Sequence, residues 1–388
     1  MLTLIRNATV YSPDYLGQKD ILISGQSICA IEDHIDLDSR HCNTIDATGL
    51  VAHPGLVDSL VHPTGGGGEG GFHTRTPEMT LTEATLAGVT TIIGALGTDA
   101  TTRTLPDLIA KTYALRNEGI SAFCYTGSYQ LPARTITDSV TDDIVLIDPM
   151  IGIGEVAIAD HRGSQPNAET LAKVAADARV GGMLSGKSGI VYIHVGDAAD
   201  KLDLLHQVVN RSAVTAKQFY PTHMNRSQSL LDAGIEWTKL GGIIDVTTST
   251  NQYFVDEGEI PAAQAIAHCL RHHVPCTQLS MSSDGNASLP VFDSNGNLVA
   301  LEVGKVASLQ HALRELVRQE GINTSDAIAT VTSTPASWLG LDKKGQIKAG
   351  FDADIVLTTV NFETPIHVFC RGKQMVDNGE AVVKGTFE

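Results

Sequence analysis

Eight short runs dominated by valine, isoleucine, leucine and other apolar residues recur along the chain, at 55–62, 90–97, 120–127, 150–155, 189–194, 218–223, 242–249 and 277–284. Between most of them lie segments with helical periodicity, such as Leu105 to Asn117, Glu169 to Arg179, Leu202 to Val209, Leu230 to Leu240 and Ala262 to His272. Apolar runs that alternate with amphipathic helices predict parallel strands covered by helices. Eight such units close most simply into a (β/α)8 barrel, whose active site lies at the carboxyl ends of the strands. Five of the runs end on a side chain that suits a metal: His62, Glu155, His194, His223 and Asp284. Residues so scattered converge only if the strand ends do.

The 388 residues exceed one barrel of about 250. The surplus lies at both sides. Short alternating segments at 2–11, 20–25 and 27–31, and again at 350–357, 367–372 and 380–384, read as β strands. Neither set is large enough to bury a face alone, so the expectation is one small β-sandwich domain built from 1–53 and 345–388, with the TIM-like barrel at 54–344. The α/β class follows. The net charge of −17 leaves no concentrated cationic face for nucleic acid. No apolar stretch approaches the roughly 20 residues of a membrane span, and the first residues lack a signal-peptide core, so a cytoplasmic protein is expected. Six cysteines without Cys-x-x-Cys spacing read as free thiols. Gly65 to Gly68 lacks the following Gly-Lys-Ser/Thr of a phosphate cradle and reads as a substrate loop. His268, His272 and His273 fall on a helical segment and read as surface or packing residues.

Pro54-Gly-Leu-Val-Asp58 before His62, the histidines at 194 and 223, Ser283-Asp284 and Ala349-Gly-Phe-Asp-Ala-Asp354 together resemble the amidohydrolase superfamily of metal-dependent hydrolases. Within it, Gly65-Gly-Gly-Gly-Glu69, Thr74-Arg-Thr-Pro-Glu78, Asp160-His-Arg162, Pro221-Thr-His-Met-Asn-Arg226 and Ser282-Ser-Asp-Gly-Asn286 are similar to the bacterial isoaspartyl dipeptidases, over nearly the full length. The resemblance implies a metal-dependent hydrolase of β-aspartyl dipeptides and a homo-oligomer. It also implies that Glu69 holds an α-ammonium, that Arg162, Arg226 and Ser288 hold carboxylates, that Thr98 lines the pocket, and that Tyr129 donates to the carbonyl oxygen. Arg162 also admits a structural reading as a salt-bridge partner, and Asp58, Asp99 and Asp160 as groups that orient neighbours.

Two positions depart from the family pattern. Leu60 stands where the first histidine of a His-x-His pair is expected, and Glu155 where a carboxylated lysine is expected. Glu155, His194 and His223 make a His2Glu set suited to one catalytic zinc, other divalent metals fitting similar ligands. His62 is the weakest of the expected ligands. The expected chemistry is hydrolysis by a metal-activated water, with Asp284 as general acid and base. An N-acyl amino acid deacetylase and a catalytically silent binding protein are the alternatives, motivated by Glu155 and Leu60.

Overall fold

The computed structural model describes residues 2–37, 40–293 and 297–388; Met1, Asp38, Ser39 and Ser294 to Gly296 lie outside that description. Every one of the eight apolar runs forms a strand: β1 Leu56–Val61, β2 Val89–Gly94, β3 Ser121–Thr126, β4 Met150–Ile158, β5 Ile190–Val195, β6 Phe219–Thr222, β7 Ile244–Thr247 and β8 Leu279–Ser282. β1 to β6 run parallel in one curled sheet in sequence order, and β7 pairs with β8. Isolated hydrogen bonds span the two remaining gaps. Met224 N donates to Asp245 O at 3.1 Å between β6 and β7, and Asp284 N to Leu60 O at 3.1 Å between β8 and β1. The result is a TIM-like barrel with an additional β domain. Buried on both faces, its strands carry no polar alternation, as a helix-covered parallel sheet requires.

The connecting helices start and stop on local signals. Asn167 caps helix Ala168–Ser185 by accepting from Thr170 N at 2.9 Å, and Gly186 ends it in the left-handed region at φ 68°. Ser227 likewise caps Gln228–Thr238 through Leu230 N at 3.2 Å.

Inside the barrel the rings of Tyr125, Tyr192 and Tyr220 stack at centroid spacings of 5.0 and 4.9 Å. A fully buried carboxylate, Asp245, lies beside them. It accepts from Tyr192 at 3.0 Å and from Thr222, Ser280 and Ser282 at 2.6 Å each. Burial pushes its pKa up, and the surrounding hydroxyls offset part of that shift. Thr222 and Ser282 close β6 and β8, so this network ties together the two strand ends that carry His223 and Asp284.

Strands flanking the barrel on both sides pair with each other. Leu50–Pro54 runs antiparallel to Ile355–Thr359, with Val51 opposite Thr358, within one nine-stranded sheet. That sheet has its own core of Ile5, Val10, Ile21, Ile23, Ile355, Leu357 and Phe369. Lys344 fastens it to the barrel. Its Nζ lies 2.6 Å from Asp354, 2.8 Å from Asp352 and 2.6 Å from Ser121 Oγ on β3.

Candidate active site

A cavity of about 380 Å³ opens at the carboxyl ends of the strands. Its wall includes His62, Glu69, Thr98, Tyr129, Arg162, His194, His223, Arg226, Asp284 and Ser288. Glu155 lies at its floor, 1% exposed and in contact with three of those histidines. The sequence-predicted residues are therefore brought together.

One placement differs from expectation. Glu155 does not end its strand, because β4 continues to Ile158. Pairing with β5 steps from Ile153 opposite Val191 to Val156 opposite Ile193, so Gly154 and Glu155 both face Tyr192. This is a β-bulge, which re-aims a side chain from within a strand. Gly154 permits it: a Cβ there would lie 2.7 Å from Tyr192 Cβ and 3.1 Å from Tyr192 O. At the ends of β6 and β8 the chain turns inward on left-handed residues, His223 at φ 62° and Asp284 at φ 51°. Such conformations in non-glycine residues cost of order 1–3 kcal/mol and concentrate at functional positions.

Glu155 Oε1 lies 2.9 Å from His194 Nδ1 and 3.0 Å from His223 Nε2. The outer nitrogen of each ring is already engaged, His194 Nε2 with Asp160 Oδ2 at 2.9 Å and His223 Nδ1 with Thr247 Oγ1 at 2.5 Å. With the outer nitrogens donating, the inner ones present lone pairs to the same point as the carboxylate. These three residues form a buried donor cluster that suits a divalent metal. Burial holds His223 neutral, its pKa lowered to about 4. Burial works to raise the Glu155 carboxyl, but the two imidazoles outweigh it and hold it well below the usual range. The second Glu155 oxygen is buried without a hydrogen-bond partner.

His62, expected as a weaker ligand, does not join this cluster. Its Nδ1 faces Ala95 O at 3.1 Å, and its Nε2 faces Asp284 Oδ1 at 3.1 Å and Glu155 Oε2 at 3.7 Å. Both nitrogens meet only acceptors. Burial disfavours the charged ring, yet the two carboxylates prevail and raise its pKa to about 9. Leu60 is fully buried among Val57, Ile93 and Tyr125 and adds no donor.

Tyr129 donates to His194 Nδ1 at 2.8 Å, and burial pushes its pKa well above the ordinary value. Arg162 grips Asp160 through two bonds, Nε to Oδ1 at 3.0 Å and Nη2 to Oδ2 at 2.7 Å. Its Nη1 is left facing Glu69, 3.7 Å away. Asp160 thereby serves both Arg162 and His194. Arg226 reaches Asp197 at 3.3 Å, while its Nε is buried without a partner. Ser288 opens a hairpin, Ser288–Phe292 with Leu298–Val303, whose apolar residues Leu289, Leu298 and Leu301 complete the wall. Sequence reasoning missed this hairpin. It also missed Thr247, which the strand-end logic that found His223 would have found on the 242–249 run, and Arg103, for which no local signal exists.

A family model for the amidohydrolase family matches residues 52–375, which spans the barrel and the strands that follow it. The chain belongs to the amidohydrolase family. Among amidohydrolases of known structure it is similar to the beta-aspartyl dipeptidase of the keratin-degrading Fervidobacterium islandicum AW-1, solved in complex with beta-Asp-Leu dipeptide. The two are 40% identical over 98% of this chain and 97% of that one, with a TM-score of 0.91. A second structure of that organism's enzyme matches at 37% identity, 98% of each chain and a TM-score of 0.89. The amidohydrolase is also similar to a dihydroorotase of Lactobacillus johnsonii, at 24% identity over 94% of this chain and 91% of its relative. It is a hydrolase with a donor set for a divalent metal, and among the described residues no helix is long and apolar enough to cross a membrane.

Proposed function

We propose that this amidohydrolase cleaves the isopeptide bond of β-aspartyl dipeptides. The observation that carries the reading is the surround of the donor cluster: the Glu69 carboxylate stands with the Arg162 and Arg226 guanidinium groups on the wall of one cavity. A zwitterionic dipeptide needs that pattern, an anion for its ammonium and guanidinium groups for its carboxylates. Glu155, His194 and His223 would hold one zinc ion per chain. When bound, the metal supplies a Lewis acid that polarises the scissile carbonyl and makes water a better nucleophile.

The remaining steps belong to the side chains. Asp284 takes a proton from the attacking water and returns it to the departing amine. It suits this double role because its side chain is 14% exposed toward the cavity, and because His62 outweighs burial and holds it ionised. Tyr129, kept protonated by burial, donates to the carbonyl oxygen as charge develops there. Glu69 binds the α-ammonium; Arg162 Nη1, Arg226 and Ser288 bind carboxylates beside Thr98. The proposal extends to a cytoplasmic homo-oligomer, which fractionation and light scattering test.

Purified protein with its metal content measured, assayed against β-Asp-Leu and against N-acyl amino acids, decides the matter. Release of aspartate and leucine with about one zinc per chain is expected. Turnover of N-acyl amino acids without turnover of β-aspartyl dipeptides would replace this reading with a deacetylase, and a metal content near two would overturn the single-ion assignment.

A further inference from the structure

The loop that carries Glu69 has little of its own to hold it. Between Thr64 and Phe72 every residue except Glu69 is glycine. Such a chain has the greatest conformational entropy to lose on ordering, and it offers no apolar side chain to pack. Backbone bonds such as Gly66 N to Asn286 O at 3.1 Å and Thr76 N to Gly66 O at 3.0 Å hold its entry, and a buried guanidinium joins them. Arg103, 6% exposed, lies in the loop before helix Leu105–Glu118. It donates from Nη1 to Thr64 O, and from Nη2 to Gly66 O at 3.1 Å and to Thr76 O at 2.9 Å. Thr64 and Gly66 form the entry of the glycine loop, and Thr76 lies on the segment that returns from it. Among the described residues Arg103 makes no ion pair, so its charge is spent on backbone carbonyls alone.

The identity of Gly65 records the same contact. It adopts φ 80°, and a Cβ on it would lie 2.4 Å from Thr76 O and 2.7 Å from Arg103 Nη1. Thr76 carries the clamp onward: its Oγ1 accepts from Gly66 N at 2.7 Å and donates to Asn286 O at 2.5 Å, two residues from Asp284. The guanidinium fork therefore sets the position of the Glu69 loop against the loop that bears the acid-base residue.

We propose that Arg103 is a positioning residue for ammonium recognition: it holds the glycine loop so that Glu69 meets the α-amino group of the substrate. The inference rests on the assignment of Glu69 made above. A lysine in its place keeps the charge but cannot span three carbonyls from a planar fork. R103M and R103K are expected to raise KM for β-Asp-Leu about tenfold, the loss that follows from loosening a hydrogen bond to a charged group, with kcat within about twofold. Against N-succinyl-leucine, which lacks the α-amino group, neither variant shifts KM.

The decisive measurement is a cycle with E69Q. If Arg103 acts through Glu69, R103K with E69Q is no worse than E69Q alone. Losses that multiply, an unchanged KM in R103K, or an equal KM rise for N-succinyl-leucine would overturn the inference. R103K carries the test if R103M fails to fold, with thermal melting run on both. A KM that E69Q leaves unmoved sinks the Glu69 assignment as well; one moved by E69Q but not by R103K sinks only the role of Arg103.

Discussion

Replacing Tyr129 by phenylalanine separates what its hydroxyl does in the folded protein from what it does in the reaction. In the folded state the hydroxyl makes one close contact, to His194 Nδ1 at 2.8 Å. Its removal costs about 0.5–1.5 kcal/mol. His194 Nδ1 belongs to the cluster that would hold the metal, so in the loaded protein its lone pair keeps a partner without the hydroxyl. The ring contacts survive, with Arg162 Cζ 5.4 Å from the ring centroid and the His194 ring at 4.5 Å. A donor aimed at developing charge on a carbonyl oxygen is a larger matter. Its loss lowers kcat by about 10²–10³, or about 2.7–4 kcal/mol. Y129F should therefore melt close to wild type, retain its metal and lose kcat by that factor, with little change in KM. Burial holds the wild-type phenol protonated, so the ratio of the two rates stays constant through neutral pH. A kcat within threefold of wild type in a fully metallated variant would refute the assignment of Tyr129 as the oxygen's donor.

Two further outcomes follow from groups outside the immediate chemistry. Asp160→Asn keeps the shape beside His194 Nε2 but removes the anion that fixes the ring's tautomer; zinc affinity should fall about 10–100-fold, measured by chelator competition. Lys344→Met leaves Asp354 buried without its cation and should cost about 3 kcal/mol in urea unfolding. Burial works to lower the Lys344 pKa, but Asp354 and Asp352 raise it on balance. A raised folded pKa means the contribution is complete below the unfolded value of about 10.4 and is lost as pH rises through the higher folded value. The gap between wild type and K344M should be constant at neutral pH and narrow only in strong alkali.

All eight barrel strands were legible because a sheet buried on both faces writes itself as continuous apolar runs. That same continuity hid the bulge at Gly154 and Glu155: where every position is buried, an extra residue breaks no alternation. Helix Ala168–Ser185 outruns its expected end at Arg179 for a different reason. Gly181 and Gly182 lie within it, and a Cβ on Gly182 would be 2.8 Å from Gly189 Cα, so the glycine there serves close packing. The cluster of Glu155, His194 and His223 was legible from the ends of the apolar runs and from a family resemblance. Arg103 was not, since its partners are backbone carbonyls that any sequence supplies. Whether a histidine offers a lone pair or a proton was equally out of reach, because Asp160, Thr247 and Ala95 decide it across the barrel mouth.

The pairing of Val51 with Thr358 has a consequence for how the molecule is made. Translation delivers the first five strands long before their partners, with the whole barrel synthesised in between. Until the last strands emerge, Leu50–Pro54 shows an open edge to the ribosome's surroundings, the kind of edge on which unfinished chains associate. The nascent protein is thus expected to pass through a stage in which the barrel is complete and its companion sheet is half built, and the edge is covered only once Ile355–Thr359 has emerged.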